Sequence, residues 1–514
     1  MMHALHSKSL PHAELKFQLA LAGLTLALVF LAGCSVGPNY HPPRMDAPAQ
    51  WAAPLTGGET NSAATTAAWW KTFHDSRLNS LIDRAVKANL DLRIAEARVR
   101  EARAQYRVAS ADFWPTINAS GSYLQQRQSE NQPLIGPALS SIRSIHLPAA
   151  IANLPDLPKI PNIPFNYDLY QTGFDASWEI DVFGGTRRAV EAGKAEINAA
   201  EFGRRDVLVT LLAEVARNYI EMRANQRLLE IANENVKTQE EALAIASDRF
   251  KNGLTGDLDV QQAATLLATT RADVPTLEIL IQVSIHRLGV LLGQPPGSLL
   301  AELSKQSPIP AAAPKVPVGL PSDLLLRRPD VQETERELAA ATARIGVATA
   351  DLFPKFSLTG AAGFESVSAS DWFSPGSRFW SVGPTVQWRI FDAGRIRANI
   401  HVQNARQEQA LASYEQVVLA SFEEVENALV AYAKEQVRRR SLGDAVKSSQ
   451  DSLHLANQLY AKGLTNFINV LDAERSLYGA QDALAQSDMA VTHDLIALYK
   501  ALGGGWDMRG SCEH

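Results

Sequence analysis

Val108-Ala109-Ser110-Ala111-Asp112-Phe113-Trp114-Pro115 returns as Val347-Ala348-Thr349-Ala350-Asp351-Leu352-Phe353-Pro354, 239 positions further along the chain. Gly253-Leu254-Thr255 returns as Gly463-Leu464-Thr465, 210 positions later, and Val260 and Ala263 return in the same register as Val470 and Ala473. Two copies of one long unit mean that a repeated supersecondary block builds the fold. The change of offset from 239 to 210 puts about 29 extra residues in the first copy, between its two shared motifs.

Outward from these markers, proline separates the elements. It clusters in residues 38–54, 133–164 and 295–329, whereas 186–250 and 393–462 contain none. The proline-free spans are rich in Ala, Leu, Glu, Gln and Arg. They carry apolar residues at helical spacing, as in Leu208, Leu211, Leu212, Val215 and Tyr219. A helix of this length measures roughly 98 Å at about 1.5 Å per residue. A globular core cannot bury such a rod, so it needs parallel neighbours, as in a coiled coil or a helical barrel. Each long helix ends at a matching turn, Gly253-Leu254-Thr255 or Gly463-Leu464-Thr465, where glycine suits the left-handed cap. Asp257 and Asn466 are placed to cap the returning helices, about 258–292 and 467–502. Pro275 lies inside the first returning helix and should kink it or leave a carbonyl unpaired.

Before each long helix the period changes from 3.6 to 2. Ile117, Ala119, Gly121 and Tyr123 alternate with polar residues over about 115–123, and Phe174, Ala176, Trp178, Ile180 and Val182 do so over about 173–182. The second copy repeats this at about 355–364 and 381–391. Alternation over about nine residues suits a transmembrane β-strand, and equally an amphipathic hairpin on a soluble core. Four strands cannot close into a barrel, and an open sheet edge is not tolerated in lipid. Membrane-spanning strands would therefore have to be pooled among several chains. Three chains would give twelve strands, enough for an open lumen. The extra residues of the first copy fall within 124–171, between its two strands; we read them as a tolerated loop insertion, with a lid as the alternative.

At the N-terminus, Lys8, His12 and Lys16 precede an apolar run from Phe17 to Ala32 that ends in Leu31-Ala32-Gly33-Cys34. This is the pattern of a signal peptide over 1–33, too short to read as a membrane span. A chance cysteine after an ordinary signal is the alternative. The Leu-Ala-Gly-Cys ending resembles a bacterial lipoprotein signal, which implies that Cys34 becomes the lipidated first residue, and Ser35 after it implies the outer membrane. Cys512 is then alone, and two cysteines exclude both a disulfide scaffold and a cysteine-ligated zinc site. A net charge of −6 over 514 residues argues against a nucleic-acid partner. The eleven histidines fall in no metal-ligand spacing, Gly503-Gly504-Gly505 lacks the context of a phosphate loop, and no catalytic constellation is found. The expectation is no enzyme, no cofactor and no metal.

Four stretches carry a family resemblance: Leu31–Tyr40, Ser177-Trp178-Glu179-Ile180-Asp181-Val182-Phe183-Gly184-Gly185, Leu326-Arg327-Arg328-Pro329-Asp330-Val331 with Ala350–Pro354, and Tyr499-Lys500-Ala501-Leu502-Gly503-Gly504-Gly505-Trp506. In this order they resemble the TolC-like outer-membrane efflux factors, in their NodT/OprM-type lipoprotein branch. The resemblance implies a mainly α tandem-repeat protomer of a homotrimer. A twelve-stranded β-barrel would continue into a periplasmic α-helical barrel. The implied layout is a lipidated segment at 34–70, repeat 1 at 71–297, a linker at 298–321, repeat 2 at 322–505 and a tail at 506–514, with a belt of mixed segments around the middle. It implies an outer-membrane exit duct of a tripartite pump that passively conducts small toxic compounds. A periplasmic adaptor and an inner-membrane transporter of the resistance-nodulation-division (RND) class would be its partners. Metal-ion or polypeptide export on the same architecture is the alternative, and a lipoprotein scaffold is a more distant one. The resemblance assigns adaptor contact to Gly253, Leu254, Thr255, Gly463, Leu464 and Thr465. It also suggests a gate at Ile468 and Asp472, four apart on one helical face; dipole stabilisation near a helix start is the bland reading of Asp472.

Overall fold

The long and short helices and the first strand of each copy recur in the structure with matched lengths. The computed structural model describes residues 35–53, 59–60, 67–127, 129, 166–310 and 316–506. Cys34, Cys512 and most of the 124–171 loop lie outside the described residues. In chain order the principal elements are α1 (Ser76–Ala88), α2 (Leu90–Ala111), β1 (Thr116–Arg127), β2 (Asn166–Ile180), α3 (Gly185–Lys251), α4 (Asp257–Leu291), α5 (Pro329–Ala350), β3 (Lys355–Ser366), β4 (Arg378–Gln387), α6 (Arg395–Ala461) and α7 (Phe467–Ala501). Helices α2 and α5 have 22 residues each, α3 and α6 have 67, and α4 and α7 have 35. Strands β1 and β3 both have 12 residues. The offsets of 239 and 210 thus map whole elements onto one another.

The chain divides into two compact units, each assembled from three stretches. One holds the segment up to Asn39, Arg107–Glu191 and Ala343–Gln403. Its four strands form an antiparallel meander in the order β1-β2-β3-β4. Repeat symmetry extends to single bonds here. The Trp178 indole N–H donates to the Phe113 carbonyl at 2.9 Å, and the Trp388 indole N–H donates to the Leu352 carbonyl at 3.0 Å. Each bond ties a strand end to the proline turn that opens its neighbour. The segment after Cys34 is docked in the same unit. Val36 donates its N–H to Phe183, and the buried Arg188 donates to the carbonyls of Val36 and Gly37 and to Asn39 Oδ1. Gly37 and Gly346 meet so closely that a Cβ on Gly37 would lie 2.5 Å from the Gly346 Cα.

The other unit holds Tyr40–Tyr106, Ala192–Thr342 and the chain from Asn404 onward. Its core joins both repeats. Leu78, Leu81 and Ile82 of α1, Leu212 and Tyr219 of α3, Leu288 of α4, and Leu495 and Ile496 of α7 are fully enclosed. Each such side chain contributes about 1.5–3 kcal/mol by leaving water. Trp69 stacks on Tyr499 with ring centroids 5.3 Å apart. Asp75 caps α1 by accepting from Arg77 and Leu78, and its second oxygen accepts from the Tyr219 hydroxyl at 2.8 Å.

Three sequence expectations need correction. Strand β4 runs over Arg378–Gln387, not 381–391, because pairing with β3 ends at Gln387 while the apolar alternation continues to Ile390. Strand β2 starts earlier than expected, at Asn166, to pair with the extension of β1 to Arg127. Neither returning helix has a side-chain cap: Gly256 holds the cap position of α4, Asp257 is already inside the helix, and Asn466 caps α7 without a side-chain bond. Helix α4 continues through Pro275, which has no N–H to offer the Arg271 carbonyl.

Candidate functional site

Two features have functional geometry: the two faces of the sheet and the two hairpin turns. Directly paired residues in an antiparallel sheet share a face, and successive rows alternate. The row Asn118–Asp175–Ala361–Ser381 is followed by Ala119–Phe174–Ala362–Trp380. On the other side of it lies Ile117–Ala176–Gly360–Val382 and then Thr116–Ser177–Thr359–Gly383. Register therefore collects the apolar alternation of all four strands on one face and the polar alternation on the other. The polar face also carries Glu179, Lys355 and Glu365, and on it Asn118 donates to Asp175 at 3.0 Å. The apolar face presents Ile117, Phe174, Trp380 and Val382 with at least 64% of their surface open in the single chain. Both outer strands, β1 and β4, have one unpaired edge.

The two hairpin turns are built alike. Gly253 and Gly463 both have φ of +72°. Gly253 N–H bonds to the Phe250 carbonyl and Leu254 N–H to the Arg249 carbonyl, both at 2.9 Å. Gly463 bonds to Tyr460 at 3.0 Å and Leu464 to Leu459 at 2.9 Å. This six-to-one bond over a left-handed residue closes a helix C-terminus while leaving the next side chain outside. Leu254 and Leu464 are accordingly 67% and 70% exposed. The copies diverge after the shared Gly-Leu-Thr. Thr255 donates its hydroxyl to Asp259, whereas Thr465 accepts from the Asn469 amide at 2.6 Å. The helix after one turn thus carries acids in its first turn, and the helix after the other is neutral there.

Ile468 and Asp472 lie on the exposed side of α7, and Asp472 is 3.4 Å from Arg475. Phe467, Val470 and Leu471 turn the opposite way, into a small core with Ala242, Ala246, Ala263, Leu266 and Tyr460. Arg249 lies over the Tyr460 ring at 4.5 Å. Sequence reading missed one residue on this buried side. Glu474 is 4% exposed, one of its oxygens has no hydrogen-bond partner, and burial pushes its carboxyl up to about 7. Its spacing of three and seven from Leu471 and Phe467 was the available signal.

The family described as Outer membrane efflux protein matches residues 81–294 and 320–504, one match per repeat. The chain is 33% identical to the Probable efflux pump outer membrane protein TtgC of Pseudomonas putida over 95% of this chain and 96% of that one. It is 32% identical to the Cation efflux system protein CusC of Escherichia coli over 93% of this chain and 96% of that one. Among solved structures, the outer-membrane channel OprN superposes with a TM-score of 0.81 at 36% identity, covering 92% of this chain and all of that chain. The fold is that of the trimeric outer-membrane channels, a mainly helical tandem-repeat protomer whose four strands are its share of a twelve-stranded barrel. With two matched repeats, a sheet sorted into apolar and polar faces and paired helical hairpins, the chain belongs to the outer membrane efflux protein family and is an outer-membrane efflux channel component.

Proposed function

We propose that this chain, anchored by a lipid on Cys34, is the exit duct of a tripartite pump and passes small organic toxicants from the periplasm to the exterior. The observation that carries the reading is the sheet register, which makes one face suitable for lipid and the other for a watery lumen. Two open strand edges call for neighbouring copies, since unpaired backbone in hydrocarbon costs several kcal/mol per group. Helix α4 supports the same reading. It is long and apolar enough to cross a membrane by length and composition, yet Ile279, Val283 and Val290 form an exposed stripe along it. Spacings of four and seven residues suit a second helix packed alongside, as in the wall of a helical barrel.

The duct works passively. The exposed Gly253-Leu254-Thr255 and Gly463-Leu464-Thr465 turns meet the periplasmic adaptor, and an inner-membrane transporter supplies the energy. Ile468 and Asp472, repeated around the threefold axis, form an apolar and an acidic ring at the periplasmic mouth. No residue is assigned a catalytic step. Docking of Val36–Asn39 on Arg188 holds the start of the mature chain against the strand unit, which suits a lipid anchored at a fixed height. The test is a deletion strain challenged with a panel of organic solvents, antibiotics and metal cations, complemented with the wild-type gene. Sensitisation to organic toxicants, restored by the gene, is expected. Sensitisation to cations alone would replace the substrate class, and no sensitisation would reject the duct.

A further inference from the structure

The buried seam behind the hairpin turns contains several polar side chains with unmet hydrogen bonds: Gln239 and Glu474, and nearer the turns the Tyr460 hydroxyl and Arg249 Nε. On α7, Phe467, Val470, Leu471 and Glu474 follow one another at spacings of three, one and three, so all four share the face that enters the core. On α3, Gln239, Ala242 and Ala246 share a face in the same way. Gln239 is 2% exposed, and neither its amide oxygen nor its amide nitrogen has a partner in the protein. Glu474 is 4% exposed with a free oxygen. Both lie between two fixed points of the α3–α7 seam: the apolar cluster nearest the turns, and the bond from the Asn235 amide to Gln481 at 3.1 Å. Polar residues at core positions of a helix seam weaken it and make its packing conditional.

Several charged groups on the surrounding helices are engaged elsewhere, although the buried Arg249 Nε makes no hydrogen bond. On α7, Asp472 is near Arg475 and Asp482 accepts from Gln486. On α4, Asp259 accepts from Thr255, Asp273 accepts from Tyr478, and Arg271 pairs with Glu240 of α3. Arg249 of α3 covers the Tyr460 ring of α6, and His454 of α6 bonds to Gln458. Burial alone is what raises the Glu474 carboxyl from its ordinary 4.5 to about 7.

We propose that Glu474 is a proton-operated latch on the hairpin seam: protonated, it stays packed, and when it loses its proton the seam loosens and the turns beyond it are freed. This rests on reading those turns as the mouth of the duct. The direction follows from linkage. The packed state holds the proton more tightly than a solvated carboxylate does, so the seam is most stable below about 4.5 and weakens as pH rises toward about 7. Above that, a charge must either stay buried without a partner or reach water by opening the seam. The gap sets a ceiling on the order of a hundredfold in the packed-to-loosened ratio.

Hydrogen exchange of the full-length trimer in lipid nanodiscs tests this. Protection of the segment around residues 467–475 is measured from pH 5 to 8.5 and corrected for intrinsic exchange. Wild-type protection should fall at least tenfold across that range, while the strand rows keep theirs. Glu474→Gln and Glu474→Leu should abolish the slope, with leucine the most protected. A flat wild-type profile, or an undiminished slope in Glu474→Gln, overturns the proposal. The wild-type slope decides the matter even if a variant misfolds. Because exchange does not depend on transport, failure of the latch is distinguishable from failure of the duct reading.

Discussion

Ala361 and Ala362 are adjacent on the same strand, and the fold gives them opposite surroundings. Ala361 sits in the polar row beside Asp175 and Ser381; Ala362 sits in the apolar row beside Phe174 and Trp380. Replacing each with arginine isolates the face from every other variable. An arginine on the lipid face costs about 2–4 kcal/mol near the bilayer midplane. Three copies in one barrel bring Ala362→Arg to roughly 6–12 kcal/mol per assembly by the same scale. Ala361→Arg faces water and gains a cross-strand carboxylate at Asp175, worth about 0.2–1 kcal/mol. The assay is the yield of heat-modifiable trimer in outer-membrane fractions, together with the urea midpoint for folding into lipid vesicles. Ala362→Arg should lose most of its trimer, and Ala361→Arg should keep wild-type levels. Equal losses in the two variants, or a greater loss in Ala361→Arg, would refute the assignment of faces.

Two further predictions concern local devices. Arg188→Met removes the donors to Val36, Gly37 and Asn39; losing charge-assisted bonds should weaken docking of the N-terminal segment by about 2–3 kcal/mol. Limited proteolysis after residue 35 should accelerate in the variant without loss of trimer. Gly253→Ala and Gly463→Ala add a Cβ that meets nothing within 4 Å, so only the left-handed backbone is penalised, by about 1–2 kcal/mol in each. Hydrogen exchange at the two turns should rise equally, and asparagine at either position should cost less than alanine.

Most of the architecture was legible because it is written twice. A repeat offset transfers any feature seen in one copy to the other, and the two offsets brought helices of 67 and 35 residues into correspondence. Strand ends were less legible. Alternation in Val386, Trp388 and Ile390 reports an amphipathic chain, whereas a strand ends where backbone pairing ends, here at Gln387. Beyond it Trp388 satisfies its indole on Leu352. The caps failed for a related reason: Asn466 has the right chemistry at the right place, but the turn closes through Gly463 and Leu464, and its side chain makes no cap bond. Glu474 was easy to pass over: its spacing from Leu471 and Phe467 places it on their face, but a glutamate among Asp472 and Arg475 reads as part of a solvated face. The packing of α3, α4 and α6 around α7 settles that its side is buried.

Three sheets, each with two open edges, join into one barrel. Asn118 on β1 and the polar-face positions of β4, namely Phe379, Ser381, Gly383 and Thr385, belong to opposite edges of one sheet. Within a chain they are about three strand spacings apart, roughly 14 Å, too far for a disulfide. Asn118→Cys, paired in turn with cysteine at each of those four positions in a Cys512→Ser background, should yield one pairing that oxidises in the outer membrane to a covalent trimer stable to boiling in detergent. Oxidation that leaves only monomers in all four pairings would mean that the sheets do not join edge to edge.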